Sequence, residues 1–141
     1  MTDDLHAIST GTVVLIDQEF TEGDLRALRN AATAHADSLG LPPDMVDEVE
    51  LIVAELASNA VRHGGGGGRL RLAATGTHIV CEVTDRGPGM AALPALDTRP
   101  DPAGAGGRGL WLVHRYADQL TLRESPGGGT VVTATLRRTP G

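Results

Sequence analysis

Glu55 and Asn59 lie four residues apart in a stretch with helical spacing, so their side chains share one face, one turn from each other. A glutamate placed there can take a proton as a general base. An asparagine offers a neutral oxygen that suits Mg²⁺, which prefers oxygen ligands and keeps other positions for phosphate and water. Further along comes Asp85-Arg86-Gly87-Pro88-Gly89. Asp85 has the strand parity of Ile79, Cys81 and Val83, which points its carboxylate inward at a strand end. An inward carboxylate needs a donor, and the exocyclic amine of a purine would serve, with Gly87 and Gly89 leaving room for a ring near the backbone. Gly104-Ala105-Gly106-Gly107-Arg108-Gly109-Leu110 then leads into a helix, where free amides and the positive end of the dipole would meet an anion such as phosphate. Last comes Gly127-Gly128-Gly129-Thr130, and Thr130 has the parity of Val132, Ala134 and Leu136, so its hydroxyl is expected on the Asp85 side. Singly, these pieces equally describe a solvated helix face, an Asp-Gly turn, a flexible connector and a β-branched strand residue. Their order and spacing carry the weight.

The elements that must position them can be read from periodicity. Thr12–Phe20, with Val13, Val14, Leu15 and Ile16, reads as a strand. Thr21 is a helix N-cap with Asp24 three residues on, and Leu25, Leu28, Ala32 and Ala36 follow at helical spacing until Gly40. Pro42 and Pro43 open a second helix that runs to about His63. Its apolar stripe is Val46, Val49, Val53, Leu56 and Ala60; Glu48, Ile52, Glu55, Asn59, Arg62 and His63 form the opposite stripe. The glycine run Gly64–Gly68 stops this helix and reads as a flexible turn. Leu70, Leu72 and Ala74, then Ile79, Cys81 and Val83, mark two alternating strands joined at Thr75-Gly76-Thr77. Met90–Gly106 reads as a long lid, Gly109–Leu120 as a helix and Thr130–Leu136 as the last strand. The order β-α-α-β-β-lid-α-β-β gives an α+β fold, a two-layer sandwich with helices on one face of a mainly antiparallel sheet. Residues 1–11 read as a flexible N-terminus and residues 12–138 as one domain.

Composition narrows the function classes. The chain has 141 residues, enough for one domain with its own core. Its net charge of −6 disfavours general nucleic-acid binding, and three aromatic residues leave no platform for stacking bases. One cysteine, Cys81, excludes an internal disulfide and a cysteine-based zinc site. All 12 basic residues counted as Lys or Arg are Arg, which excludes a Walker-A loop and a Schiff-base lysine. No apolar run is long enough for a membrane span and no signal peptide is evident, so a cytoplasmic location is expected.

Taken together in this order, these residues make the sequence resemble the GHKL, or Bergerat-fold, ATPases. Glu55-Leu56-Ala57-Ser58-Asn59-Ala60-Val61-Arg62-His63-Gly64 is similar to their N box, Asp85-Arg86-Gly87-Pro88-Gly89 to the G1 box, Gly107-Arg108-Gly109-Leu110 to the G2 box and Gly129-Thr130 to the last box. The short N box and small size resemble one branch, the stand-alone anti-sigma-factor serine kinases and their actinobacterial relatives. The resemblance implies ATP and Mg²⁺ as cofactors. It implies that Asn59 holds Mg²⁺, Glu55 is the catalytic base, and Asp85, Gly87, Gly89 and Thr130 bind the adenine end. Gly107, Arg108, Gly109 and Leu110 would lie along the phosphates, with His63 beside the site. It further implies transfer of the ATP γ-phosphate to a serine of an anti-sigma-factor antagonist, and a sigma factor as second partner; it admits a homodimer. The alternative is an ATP-sensing binding module that controls a partner without phosphoryl transfer. The ATPase half of a histidine kinase fits less well, because no phosphoacceptor helix pair precedes it.

Overall fold

Pro43 sits in the first helical turn, where its missing N–H is not needed, and Gly64 caps the other end of the longest helix. The computed structural model describes residues 11–87 and 108–139. Gly89, Gly107, residues 1–10 of the expected N-terminal tail and the expected lid 90–106 lie outside the described residues. The elements are β1 (Val13–Thr21), a 3-10 turn (Glu22–Asp24), α1 (Leu25–Ser38), α2 (Pro43–His63), β2 (Gly67–Ala74), β3 (His78–Asp85), α3 (Arg108–Tyr116), β4 (Gln119–Glu124) and β5 (Thr130–Arg137). The five strands form one antiparallel sheet in the order β1-β2-β3-β5-β4. The α+β class read from the sequence is the one observed. The core lies between the helices and one sheet face: Leu28, Ala32, Val49, Val53 and Leu56 pack with Leu70, Leu72, Ile79, Cys81 and Val132. Burial of such side chains stabilises by about 1.5–3 kcal/mol each against leaving them exposed.

Local chemistry sets the boundaries. Asp24 accepts a hydrogen bond from the Thr21 amide at 2.8 Å, the return arm of a capping box. Gly40 takes φ +76° after α1, as a residue without Cβ can. The Thr75 hydroxyl accepts from the amides of Thr77 (3.1 Å) and His78 (2.9 Å), which closes the β2–β3 turn.

Several expectations need correction. The helix expected over Gly109–Leu120 ends at Tyr116, and Leu120 belongs to β4. The Asp118 amide donates to Thr135 and its carboxylate accepts from Arg137, so the chain joins the sheet edge there. The alternation of Leu120 and Leu122 then has period two. Only Gly64–Gly66 turn the chain after α2; Gly67 and Gly68 are strand residues opposite Thr21 and Phe20. The stripe expected to oppose the core is partly inside it: Ile52 is 1% exposed, because α1 and α3 flank α2 and widen its buried arc. On the outward sheet face Ala73, Val80, Glu82 and Thr133 are buried as well, with the Glu82 carboxylate 3.8 Å from the Arg123 guanidinium.

At the far end of α2, burial holds the Glu48 carboxyl above its usual range, helped by the like charges of Asp44 and Asp118. A raised acid binds its proton more readily in the folded state than in the unfolded one. Its contribution is therefore present at low pH and lost as pH rises through the carboxylate range and above it. We expect Glu48→Gln to raise the melting temperature by a degree or two at neutral pH, with the gain vanishing below about pH 4, where the parent residue is also uncharged. Thermal unfolding across pH checks this; a lower melting temperature at neutral pH would contradict it.

Candidate functional site

The site is built where the C-terminal half of α2 meets the end of β3, the start of β5 and the first turn of α3. Because α2 is continuous through this region, Glu55 and Asn59 stand one turn apart on one rigid rod. Glu55 is half-buried, and its Oε1 lies against Gly109 so closely that a Cβ on that glycine would sit 2.7 Å from it. Asn59 is only 8% exposed, and among the described residues its carboxamide has no protein partner. The sequence reading placed it on a polar face; the fold covers most of it. Its amide stays within reach of solvent, and so of a ligand.

Asp85 ends β3 and points to the helix side of the sheet, as its parity requires. Its Oδ1 accepts two backbone hydrogen bonds, from Gly87 at 3.0 Å and from Thr130 at 3.1 Å. Among the described residues nothing donates to Oδ2. Thr130 thus meets Asp85 through its main-chain amide, a contact that the strand parity of its hydroxyl did not announce. Gly87 also lies against the end of α2. So one carboxylate oxygen is pinned by the protein and the other remains an acceptor.

The remaining candidates separate by position. His63 is the last residue of α2, with an exposed side chain at a helix C-terminus where a cation is favoured. Arg108 and Gly109 open α3. Leu110 is 2% exposed and part of the core, so only its main chain can face a ligand. Gly89 and Gly107 lie outside the described residues. Two residues that the sequence placed on α2 and at its end, without a role in the site, prove to border it. Arg62, two turns beyond Glu55, has Nη2 3.8 Å from where a Gly109 Cβ would lie; the i, i+7 spacing was the available signal. Gly64 abuts the Asp85 side chain.

Among the described residues no three His, Cys, Asp or Glu side chains gather to hold a metal. Those residues offer no metal cage of their own. The Asn59 oxygen fits a hard cation that takes its other oxygens from water and phosphate, as Mg²⁺ does. Two clefts lie elsewhere. One of about 330 Å³ is lined by Glu19, Phe20, Asp24, Gly65–Gly68 and Arg86, with Arg86 paired to Glu19. The other, of about 620 Å³, lies at the opposite pole between Asp44, Glu48, Tyr116, Asp118 and Arg138. No helix among the described residues is long and apolar enough to cross a membrane.

Known proteins share this fold. The family model described as histidine kinase-like ATPase domain matches residues 19–136. The chain is 31% identical over 115 residues to the anti-sigma F factor of Pasteuria penetrans, covering 74% of this chain and 76% of that protein. It is 33% identical over 105 residues to the signal transduction histidine-protein kinase AfsQ2 of Streptomyces coelicolor, covering 65% of this chain but only 20% of the kinase. In three dimensions it is similar to a chain of the SiaB-SiaC complex from Pseudomonas aeruginosa, with a TM-score of 0.72, 12% identity, and coverage of 87% of this chain and 89% of that one. At that identity the likeness speaks for the fold alone.

Proposed function

The chain belongs to the histidine kinase-like ATPase domain family, and from that premise we propose that it is an ATP-binding regulator of the anti-sigma kind that phosphorylates a serine of an antagonist protein. The observation that carries this reading is the set of open acceptors on one surface. Asp85 keeps Oδ2 for a donor, Asn59 keeps its carboxamide, and Glu55 stands one turn from Asn59 at the start of α3.

In this reading Asp85 Oδ2 accepts from the exocyclic amine of adenine, while the amides of Gly87 and Thr130 keep the carboxylate from rotating away. Gly87 borders the ring. The start of α3, with Arg108, Gly109 and the Leu110 main chain, would lie along the phosphates, where a helix N-terminus favours negative charge. Arg62 and Arg108 supply the cations that a lysine would supply elsewhere. Asn59 would hold Mg²⁺, which when bound neutralises charge on the phosphate oxygens. Glu55 takes the proton of the serine hydroxyl. As that proton leaves, the serine Oγ bonds to the γ-phosphorus, the bond from that phosphorus to the β,γ-bridging oxygen breaks, and ADP departs. Phosphoryl transfer asks mainly for placement and charge neutralisation, which this arrangement can give.

The partners in this reading are the antagonist protein and a sigma factor, with the antagonist's phosphorylation state deciding which is held. The resemblance to an anti-sigma F factor supports it. The second reading is an ATP-sensing module that controls its partner without chemistry. The half-buried Glu55 favours the kinase, since binding alone needs no base. Incubation with γ-labelled ATP, Mg²⁺ and a cognate antagonist separates the two. Label on an antagonist serine is the result expected; ATP-dependent complex formation with an unlabelled antagonist would favour the sensor.

A further inference from the structure

Gly64 is the C-cap of α2, and it is also the residue that closes the back of Asp85. A Cβ built on Gly64 would lie 2.5 Å from both Cβ and Cγ of Asp85 and 2.6 Å from its Oδ2. Such approaches are well inside van der Waals contact, and Asp85 cannot yield freely because Gly87 and Thr130 hold its Oδ1. Gly87 is equally constrained: its own Cβ would lie 2.6 Å from the Gly64 Cα. The two ends are also tied through the main chain, since the Gly64 carbonyl accepts from the Arg86 amide at 3.3 Å while the Gly64 amide donates to Ala60 at 2.8 Å. Gly64 itself has φ −113° and ψ 29°, a conformation open to any residue. Its requirement is therefore for space against Asp85 and not for backbone freedom.

We propose that Gly64 is a specificity-determining positioning residue: it clasps the Asp85 carboxylate between the end of α2 and the end of β3, and so fixes which purine edge the free Oδ2 accepts. The proposal rests on the nucleotide reading above. It adds that the rod carrying Glu55 and Asn59 also sets the aim of the base-reading aspartate. Any side chain at 64 displaces that carboxylate from the Gly87 and Thr130 amides and blurs the distinction between an amine and a carbonyl at the purine six-position.

Two measurements test it on the full chain. In Gly64→Ala, the amide resonances of Gly87 and Thr130 should shift as their bonds to Oδ1 are lost, without any nucleotide present. By calorimetry, ATP affinity should fall by about tenfold or more, and the ATP:GTP affinity ratio should collapse towards one. Gly66→Ala is the control. Gly66 has φ +93° with nothing within 4 Å of its Cβ position, so that variant should lose thermal stability and keep the parent ratio. Should Gly64→Ala fail to fold, Asp85→Glu asks the same question, because the longer side chain has no room against Gly64 and should also lose the ratio. A parent that prefers ATP beside variants with the same preference, or unmoved Gly87 and Thr130 resonances, would overturn the clasp alone. A parent that binds neither nucleotide would overturn the nucleotide reading, and the proposal with it.

Discussion

Asp85→Asn should lower ATP affinity by about 100-fold, the cost of losing a charged acceptor and facing one donor with another. The reason lies in which oxygen the protein already uses. With the amides of Gly87 and Thr130 both aimed at Oδ1, the asparagine must place its only oxygen there. Its NH₂ group then occupies the Oδ2 position and meets the exocyclic amine of adenine, donor against donor. Guanine carries a carbonyl oxygen at the same place, so GTP should lose much less and the parent preference for ATP should shrink or invert. The sheet should be unaffected, because the neutral amide keeps both backbone bonds. Calorimetric titration with each nucleotide checks this; an Asn variant with parental ATP affinity would remove Asp85 from the base site.

Glu55→Gln should suppress phosphoryl transfer by about 10²–10⁴-fold while changing nucleotide affinity little. Gln is close to Glu in size and can sit against Gly109 as the carboxylate does, so the start of α3 stays in place. It cannot take up the serine proton. Loss of rate with retained affinity is the pattern of an interaction made only in the transition state. Single-turnover transfer to the antagonist measures the first quantity and titration the second. Transfer at the parent rate would assign the base to another residue; equal loss of both would make Glu55 a binding or folding residue.

Much of this arrangement was legible because it follows from local rules. Pro43 and Gly64 bracket a helix, and the four-residue step from Glu55 to Asn59 then puts both on one face. Strand parity puts Asp85 on the helix side with Ile79, Cys81 and Val83. What escaped depends on contacts between distant segments. Asn59 looked like part of a solvated stripe, and no local pattern announces that tertiary packing will cover most of it. Leu120 continued the helical spacing of Leu110, Val113 and Ala117, and only the bonds from Asp118 to β5 end the helix early. The glycines after His63 read as slack chain. Gly67 and Gly68 instead pack their Cα atoms against neighbouring strands, and Gly64 packs against Asp85. The Thr130 hydroxyl was the visible feature of its position, yet its amide makes the contact, because a strand start leaves that N–H free for the carboxylate.

The most direct test is a map of backbone amide shifts on adding Mg²⁺-ATP to the full chain. Asp85, Gly87 and Thr130 at the base end, Gly64 behind them, and Glu55, Asn59 and Gly109 at the phosphate end should respond together, with Mg²⁺-GTP producing smaller shifts at the first three. A response centred on Asp44, Glu48 and Tyr116 at the opposite pole, or no response at Asp85 and Asn59 under saturating nucleotide, would contradict the account.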